Sequence, residues 1–353
     1  MAIPRDSLVD FTVSKRGAKC CTSFDKHVLG RKVVKTVTVP GANPGKGNLC
    51  VETMFLQHTL RALVFFYSSL HLAGWSFCGK LTASDILVTP CGSFRVLRSK
   101  LKSLKQANKR KIRKDFRSAF RLLKSLFRGV PQMPREFRHL LKLMKNFKEE
   151  DRLVVNTHAA GMNEQDKMGL VERCYRRYDA LEQQDPSAYK NITDRLPFCK
   201  VGKKHWKKRI KINKYLMRHL NYQRPIIIRG KFTAGPKTYY PDTGRGVVKY
   251  TRNSVEHLSD QQATELSKAE KKKRKRDREA GITVEAKKNF EDVQCYHMIA
   301  KSLPGLLCEF CRLLNDEGYL EVCLGPTPTS YIETALDGYD DESSYRKKRK
   351  KSV

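Results

Sequence analysis

The stretch DFRSAFRLLKSLFRG, residues 115–129, sets the fold class of this chain. Apolar residues stand at 116, 119, 120, 122, 123, 126 and 127, with Arg and Lys between them. That is the 3.6-residue period of an amphipathic helix, and Gly129 ends it. MPREFRHLLKLMKNF (133–147) repeats the pattern after Pro134, a favoured first-turn residue. Upstream, LQHTLRALVFFYSSLHLAGW (56–75) places Leu56, Leu60, Leu63, Val64, Tyr67 and Leu70 at helical spacing. Gln57, His58, Arg61 and His71 interrupt it, so it reads as a buried amphipathic helix and not a membrane span. Between these helices, DILVTPCGSFRVL (85–97) reads as a hairpin, two apolar runs around TPCGS.

On the N-terminal side, residues 1–48 are mixed, with a β-rich piece GRKVVKTVTV (30–39) before the Gly/Pro-rich break PGANPGKGN. On the C-terminal side, residues 165–200 read as helical with mixed charge. GKKHWKKRIKINK (202–214) sets Trp206 among lysines. Either Trp206 stacks on a base while Lys203 and Lys204 follow phosphates, or the tryptophan faces a core. KFTAGPKTYYPDTGRG (231–246) reads as a loop leading into a helix, and Ser259 with Gln262 forms a capping box for the next one. A lysine-rich run follows, then an apolar helical element at about 290–315 and a charged tail that reads as disordered.

Seventy-one Lys and Arg against thirty-six Asp and Glu give the 353 residues a net charge of +35. That excess exceeds what solubility requires and points to a polyanionic partner, most simply nucleic acid. MAIPRDSLVD carries no signal-peptide or myristoylation pattern, so no membrane is expected, and location is expected in the nucleus, the cytoplasm or both. KKKRKR (271–276) and RKKRKK (346–351) fit nuclear import signals. Eleven cysteines without a framework fit a reducing compartment. Cys308 and Cys311 form a CxxC near Cys295, His297 and Cys323, but a second CxxC is missing and the neighbours recur at helical spacing. No metal site is expected.

TRNSVEH (251–257) carries the chemistry. Asn253 and His257, four apart on a helix, share a face, and Arg252 lies about 100° round the same turn. A guanidinium, an amide and an imidazole suit a phosphate: a charged fork, a neutral donor and a titratable proton.

Residues 56–129 resemble the large lobe of a protein kinase. CGKLTASDILV (78–88) falls where that family has H-R-D-L-K-x-x-N-I-L-V, with Leu81, Ser84, Ile86, Leu87 and Val88 fitting. Cys78, Gly79, Lys80 and Asp85 replace its histidine, arginine, aspartate and asparagine, and Arg98, Ser99 and Lys100 stand in place of D-F-G. DFRSAFRLLKSLFRG matches the D-x-x-S-x-G-x-x-L helix. Lys35 resembles the ATP-pairing lysine without a glycine-rich loop before it. Phosphoryl transfer needs two carboxylates that are absent, so no kinase activity and weak or absent ATP binding are expected.

Residues from about 165 to 325 resemble the KEN ribonuclease domain shared by RNase L and the inositol-requiring kinase/endoribonuclease. Arg252, Asn253 and His257 fit its R-N-x-x-x-H element, and Tyr239 stands thirteen residues before the arginine. TGRGVVKYTRN resembles S-V-R-D-L-L-R-A-x-R-N, with Arg245, Val247, Val248 and Lys249 in register, and LPGLLCEF (303–310) resembles R-F-P-x-L-L.

The resemblance implies a mainly α chain: a small-lobe remnant (1–50), a degenerate kinase-like α+β lobe (51–162) and an all-helical KEN domain (163–325) with a basic insert at 265–289, before a disordered tail (326–353). It implies metal-independent RNA cleavage with His257 as acid, Tyr239 as base, Arg252 on the phosphate and Asn253 orienting it. Arg245, Lys249, Lys203, Lys204 and Trp206 are the expected RNA contacts. No cofactor is expected, and a homodimer is implied. Gly244 and Gly246 each weaken the site helix by about 1 kcal/mol relative to alanine. A non-catalytic RNA-binding scaffold is the alternative.

Overall fold

The computed structural model describes residues 8, 11–42, 45, 47–199, 205–221, 223–228, 231–237, 239–258, 276 and 290–324. The elements up to residue 163 are β1 (Thr12–Val13), β2 (Thr22–Ser23), α1 (Phe24–Val28), β3 (Val34–Thr38), β4 (Asn48–Glu52), α2 (Met54–Leu72), β5 (Trp75–Ser76), β6 (Ile86–Val88), β7 (Phe94–Leu97), β8 (Lys105–Gln106), α3 (Lys109–Ser125), α4 (Arg135–Lys145) and α5 (Arg152–Asn156). Then come α6 (Glu164–Gln184), α7 (Pro186–Arg195), α8 (Trp206–Ile210), α9 (Lys214–Leu220), β9 (Gln223–Ile228), β10 (Lys231–Lys237), α10 (Gly244–His257), α11 (Asp292–Ser302), α12 (Leu306–Asp316) and α13 (Leu320–Leu324). The chain is mainly α. It divides into two compact units: residues 1–36, 50–163 and 311–353, and residues 37–49 and 164–310. Among the described residues, no helix is long and apolar enough to cross a membrane.

The first unit is built on α2 and α3. The Thr53 side chain caps α2 by accepting from Leu56 N at 3.3 Å, satisfying one orphan donor of the first turn. All six apolar positions picked out by spacing in α2 are buried. Asn108 caps α3 in the same way, accepting from Lys111 N at 3.0 Å. The buried face of α3 is Ile112, Phe116, Ala119, Leu122 and Leu123, and it packs with α2 and α4. Phe116 stacks on Phe147 at 3.9 Å between centroids.

The expected hairpin forms: β6 and β7 pair antiparallel with Ile86 opposite Val96, inside a sheet ordered β1-β7-β6-β2. Asp115, fully buried, ties the preceding loop to α3. It accepts from Ser76 Oγ at 2.6 Å, Phe77 N at 3.1 Å and Gly79 N at 2.6 Å, and meets His71 Nε2 at 3.0 Å. One turn on, Ser118 Oγ donates to Leu81 O at 2.8 Å.

In the second unit α10 packs against α6, α7, α9 and α11. An aromatic cluster of Trp206, Tyr240 and Tyr250 lies beneath it, with Tyr250 5.3 Å from each of the other two rings. This unit is not all-helical. Gln223–Ile228 and Lys231–Lys237 pair antiparallel, with Ile228 opposite Lys231, although the second segment reads as loop in the sequence. Three consecutive isoleucines, Ile226 to Ile228, favour the extended backbone, and a partner strand directly after them satisfies its hydrogen bonds. The element expected at 290–315 is broken, with α11 ending at Ser302 and α12 beginning at Leu306; Gly305 between them takes a positive φ of 80°. Cys308 and Cys311 are buried on α12. Lys203, Lys204, the Ser259/Gln262 capping box, the tail and all of the basic insert except Arg276 lie outside the described residues.

Candidate functional site

The site grows from α10. The chain bends at 242–243 just before the helix, and the two glycines at its start allow close approaches. A Cβ on Gly244 would lie 2.3 Å from Thr193 O, and one on Gly246 would lie 1.8 Å from Pro241 O. The expectation that these glycines only weaken the helix is therefore corrected: no larger residue fits there without movement of the backbone. Val247, Val248, Tyr250, Thr251 and Ser254 form the buried face. The opposite face carries Arg245, Lys249, Arg252, Asn253, Glu256 and His257, spaced three and four apart along one stripe.

At the C-terminal end of that stripe the side chains converge. Arg252 Nη1 pairs with Glu256 Oε2, and His257 Nε2 lies 3.2 Å from the same oxygen. Arg252 Nη1 also donates to Asn253 Oδ1 at 3.2 Å, and Asn253 Nδ2 donates to Tyr240 Oη at 3.0 Å. Tyr240, buried beside Asn253, is thus the tyrosine joined to the motif. Burial pushes its phenol up, and the Asn253 amide partly offsets this. Arg252 also lies over the ring of Tyr175, 5.9 Å from its centroid. Burial, with Asp179 beside it, pushes Tyr175 up to about 12 despite the arginine, so it stays a neutral phenol. Arg252 Nε is buried and makes no hydrogen bond.

Tyr239 is 75 % exposed, and the cation over its ring is Lys207, at 5.8 Å; Arg252 lies over Tyr175. Lys207 also pairs with Asp242 at 2.6 Å, whose carboxyl it holds below the usual range. Arg245 is committed to Glu182 at 2.6 Å, while Lys249 is half-buried. Trp206 is fully buried, so its ring offers no surface for a base, and the core-facing alternative holds at that position. The aromatic neighbours Tyr240 and Tyr250 claim it, as the hydrophobic effect requires of a large ring beside an apolar cluster.

The kinase-like positions fall in the first unit. Lys35, Lys80 and Arg98 are exposed. Asp85 is spent locally: it accepts from Thr82 N at 3.0 Å and pairs with Lys100 at 2.5 Å. Burial alone would raise its carboxyl, but Lys100 and Thr82 hold it below the ordinary value.

Sequence pattern does not single out three residues of the site: Glu256, Lys207 and Asp242. Glu256 has a legible signal, since it stands four after Arg252, the spacing of a helical ion pair. No protein-family model matches this chain, and no curated protein matches it.

Proposed function

We propose that the chain is an endoribonuclease that cleaves RNA by transesterification from the substrate's own 2′-OH. The observation that carries this reading is the convergence of Arg252 and His257 on one carboxylate oxygen of Glu256. A guanidinium and an imidazole aimed at one anionic oxygen form the arrangement that a phosphodiester would need, with Glu256 holding the position in its absence. The net charge of +35 supplies the attraction for a polyanion.

In this reading RNA phosphate displaces Glu256 and Arg252 neutralises the phosphorane. Tyr239, beside Lys207, takes the 2′-OH proton. The 2′-oxygen bonds to phosphorus, the P–O5′ bond breaks, and His257 donates its proton to the departing 5′-oxygen. The products are a 2′,3′-cyclic phosphate and a 5′-OH. Asn253, anchored on Tyr240, sets the orientation of Arg252. The nucleophile belongs to the substrate, so the chemistry asks for no metal. The first unit contributes no phosphoryl transfer in this reading, because Lys80 and Arg98 put positive charge where a kinase needs carboxylates.

A second reading, an RNA-binding scaffold without catalysis, draws on the same convergence, since Glu256 already occupies both groups. The test is cleavage of a loop-containing RNA in EDTA. Cyclic phosphate ends are expected from the wild type, and His257→Ala is expected to slow cleavage by at least about 10²-fold, the scale of a missing general acid. Equal cleavage, or none, in both proteins overturns the ribonuclease reading and leaves the scaffold.

A further inference from the structure

We infer that the outer face of α3, on the first unit, is a docking surface for the RNA backbone in addition to the α10 site on the second unit. Arg110, Lys114, Arg117, Arg121 and Lys124 recur at steps of four and three residues, which keeps them on one stripe about 20 Å long. All five are exposed. Among the described residues none of the five pairs with a carboxylate. Arg117 is held in place instead, its Nε donating to Lys145 O at 3.2 Å. Residues 109–145 hold thirteen Lys and Arg against two acids, and one of those, Asp115, is wholly buried and bonded inward.

An unpaired row of like charges repels itself, so on its own it stabilises nothing; a polyanion laid along it relieves the repulsion and releases counterions. RNA fits better than an anionic membrane. A helix that binds a bilayer inserts its apolar face, and the apolar face of α3 (Ile112, Phe116, Ala119, Leu123) is already buried in the core of its own unit. What remains outside is charge without an apolar anchor, which suits a phosphate backbone and gives no sequence preference.

The choice of partner rests on the proposal that the chain acts on RNA, but cleavage plays no part in it. The full chain carrying His257→Ala, in EDTA, is titrated with a fluorescent single-stranded RNA between about 50 and 200 mM salt. Arg110, Lys114, Arg117, Arg121 and Lys124 are replaced together by Gln, which keeps helix propensity. A control removes the same charge from Lys15, Arg16, Lys19, Lys26 and Lys32, exposed elsewhere on the unit. The stripe variant is expected to bind at least tenfold more weakly than the control. Its log–log salt slope is expected to be shallower by up to about 3.5, at about 0.7 for each phosphate no longer neutralised. Affinity and slope equal to the control overturn the inference. So does unchanged RNA binding with loss of sedimentation on phosphatidylserine vesicles, which assigns the face to a membrane. If circular dichroism shows the fivefold variant unfolded, Lys114→Gln with Arg121→Gln is measured against a two-residue control by the same criteria. Failure of His257→Ala to affect cleavage removes the ribonuclease reading and leaves this result standing.

Discussion

Glu256 is the residue on which the α10 site turns. It pairs with Arg252 and lies beside His257, so in the proposed reading an RNA phosphate must displace it. Glu256→Gln is therefore expected to tighten RNA binding a few-fold, because a half-exposed pair is worth about 0.2–1 kcal/mol. A binding titration at fixed salt checks this, and weaker binding would mean that the carboxylate positions the cations instead of competing for them. His219, buried on α9 with its ring edge-on to Tyr250, is pushed down to about 4 by burial, with the charge of His257 adding to the effect. Its folded value lies below the unfolded value of about 6.5, so the unfolded chain binds the proton more readily. The stability it contributes is present above about 6.5 and is lost as pH falls toward about 4. The full loss is on the order of 3 kcal/mol. Urea midpoints at pH 7 and pH 4.5 are expected to differ less for His219→Gln than for the wild type.

Among the elements, α10 depends on two glycines that composition alone would count as defects. A Cβ at Gly246 would lie 1.8 Å from Pro241 O, whereas one at Gly169, within α6, would meet only the far end of the Arg173 side chain at 3.1 Å. The same substitution is therefore expected to have opposite signs. Gly246→Ala is expected to destabilise by about 1–3 kcal/mol through overpacking, and Gly169→Ala to stabilise by up to about 1 kcal/mol through helix propensity. Denaturant unfolding of the two variants decides it, and a neutral Gly246→Ala would show that the bend after Pro241 gives way. Helix α3 carries more than one duty. Its buried face fills the core, its buried Asp115 and Ser118 fix the loop at 76–81, and its outer face carries charge.

For the molecule as a whole, charge bears on the homodimer that the resemblance implies. Two copies of +35 repel over a screening length of about 8 Å at physiological salt, which opposes pairing of the free protein. If the chain acts on RNA as proposed, RNA phosphates would neutralise both copies, so pairing is expected only with RNA and is expected to weaken steeply with salt. Sedimentation with and without a cleavage-resistant RNA, at low and high salt, measures it; a salt-independent dimer without RNA would show that apolar docking controls assembly.

The amphipathic elements are legible in the residues alone. The apolar stripes of α2 and α3 can be read because a 3.6-residue period reports which face is buried whatever it packs against. The β6–β7 hairpin is legible for a similar reason, two short apolar runs around a turn. The grouping of Arg252, Asn253 and His257 also follows from spacing, since Asn253 and His257 stand four apart on one helix face and Arg252 adjoins Asn253 in the same turn. Folding settled the rest. It chose Tyr240 over Tyr239 as the partner of Asn253, put Trp206 in the core and set Lys207 over Tyr239, because each outcome depends on segments that meet only in the tertiary structure. It turned Gly244 and Gly246 from liabilities into requirements, because the atoms that exclude a Cβ there are Thr193 O, brought in by α7, and Pro241 O, in the segment that leads into the helix. Local period fixes what a residue faces, and only packing fixes what it touches.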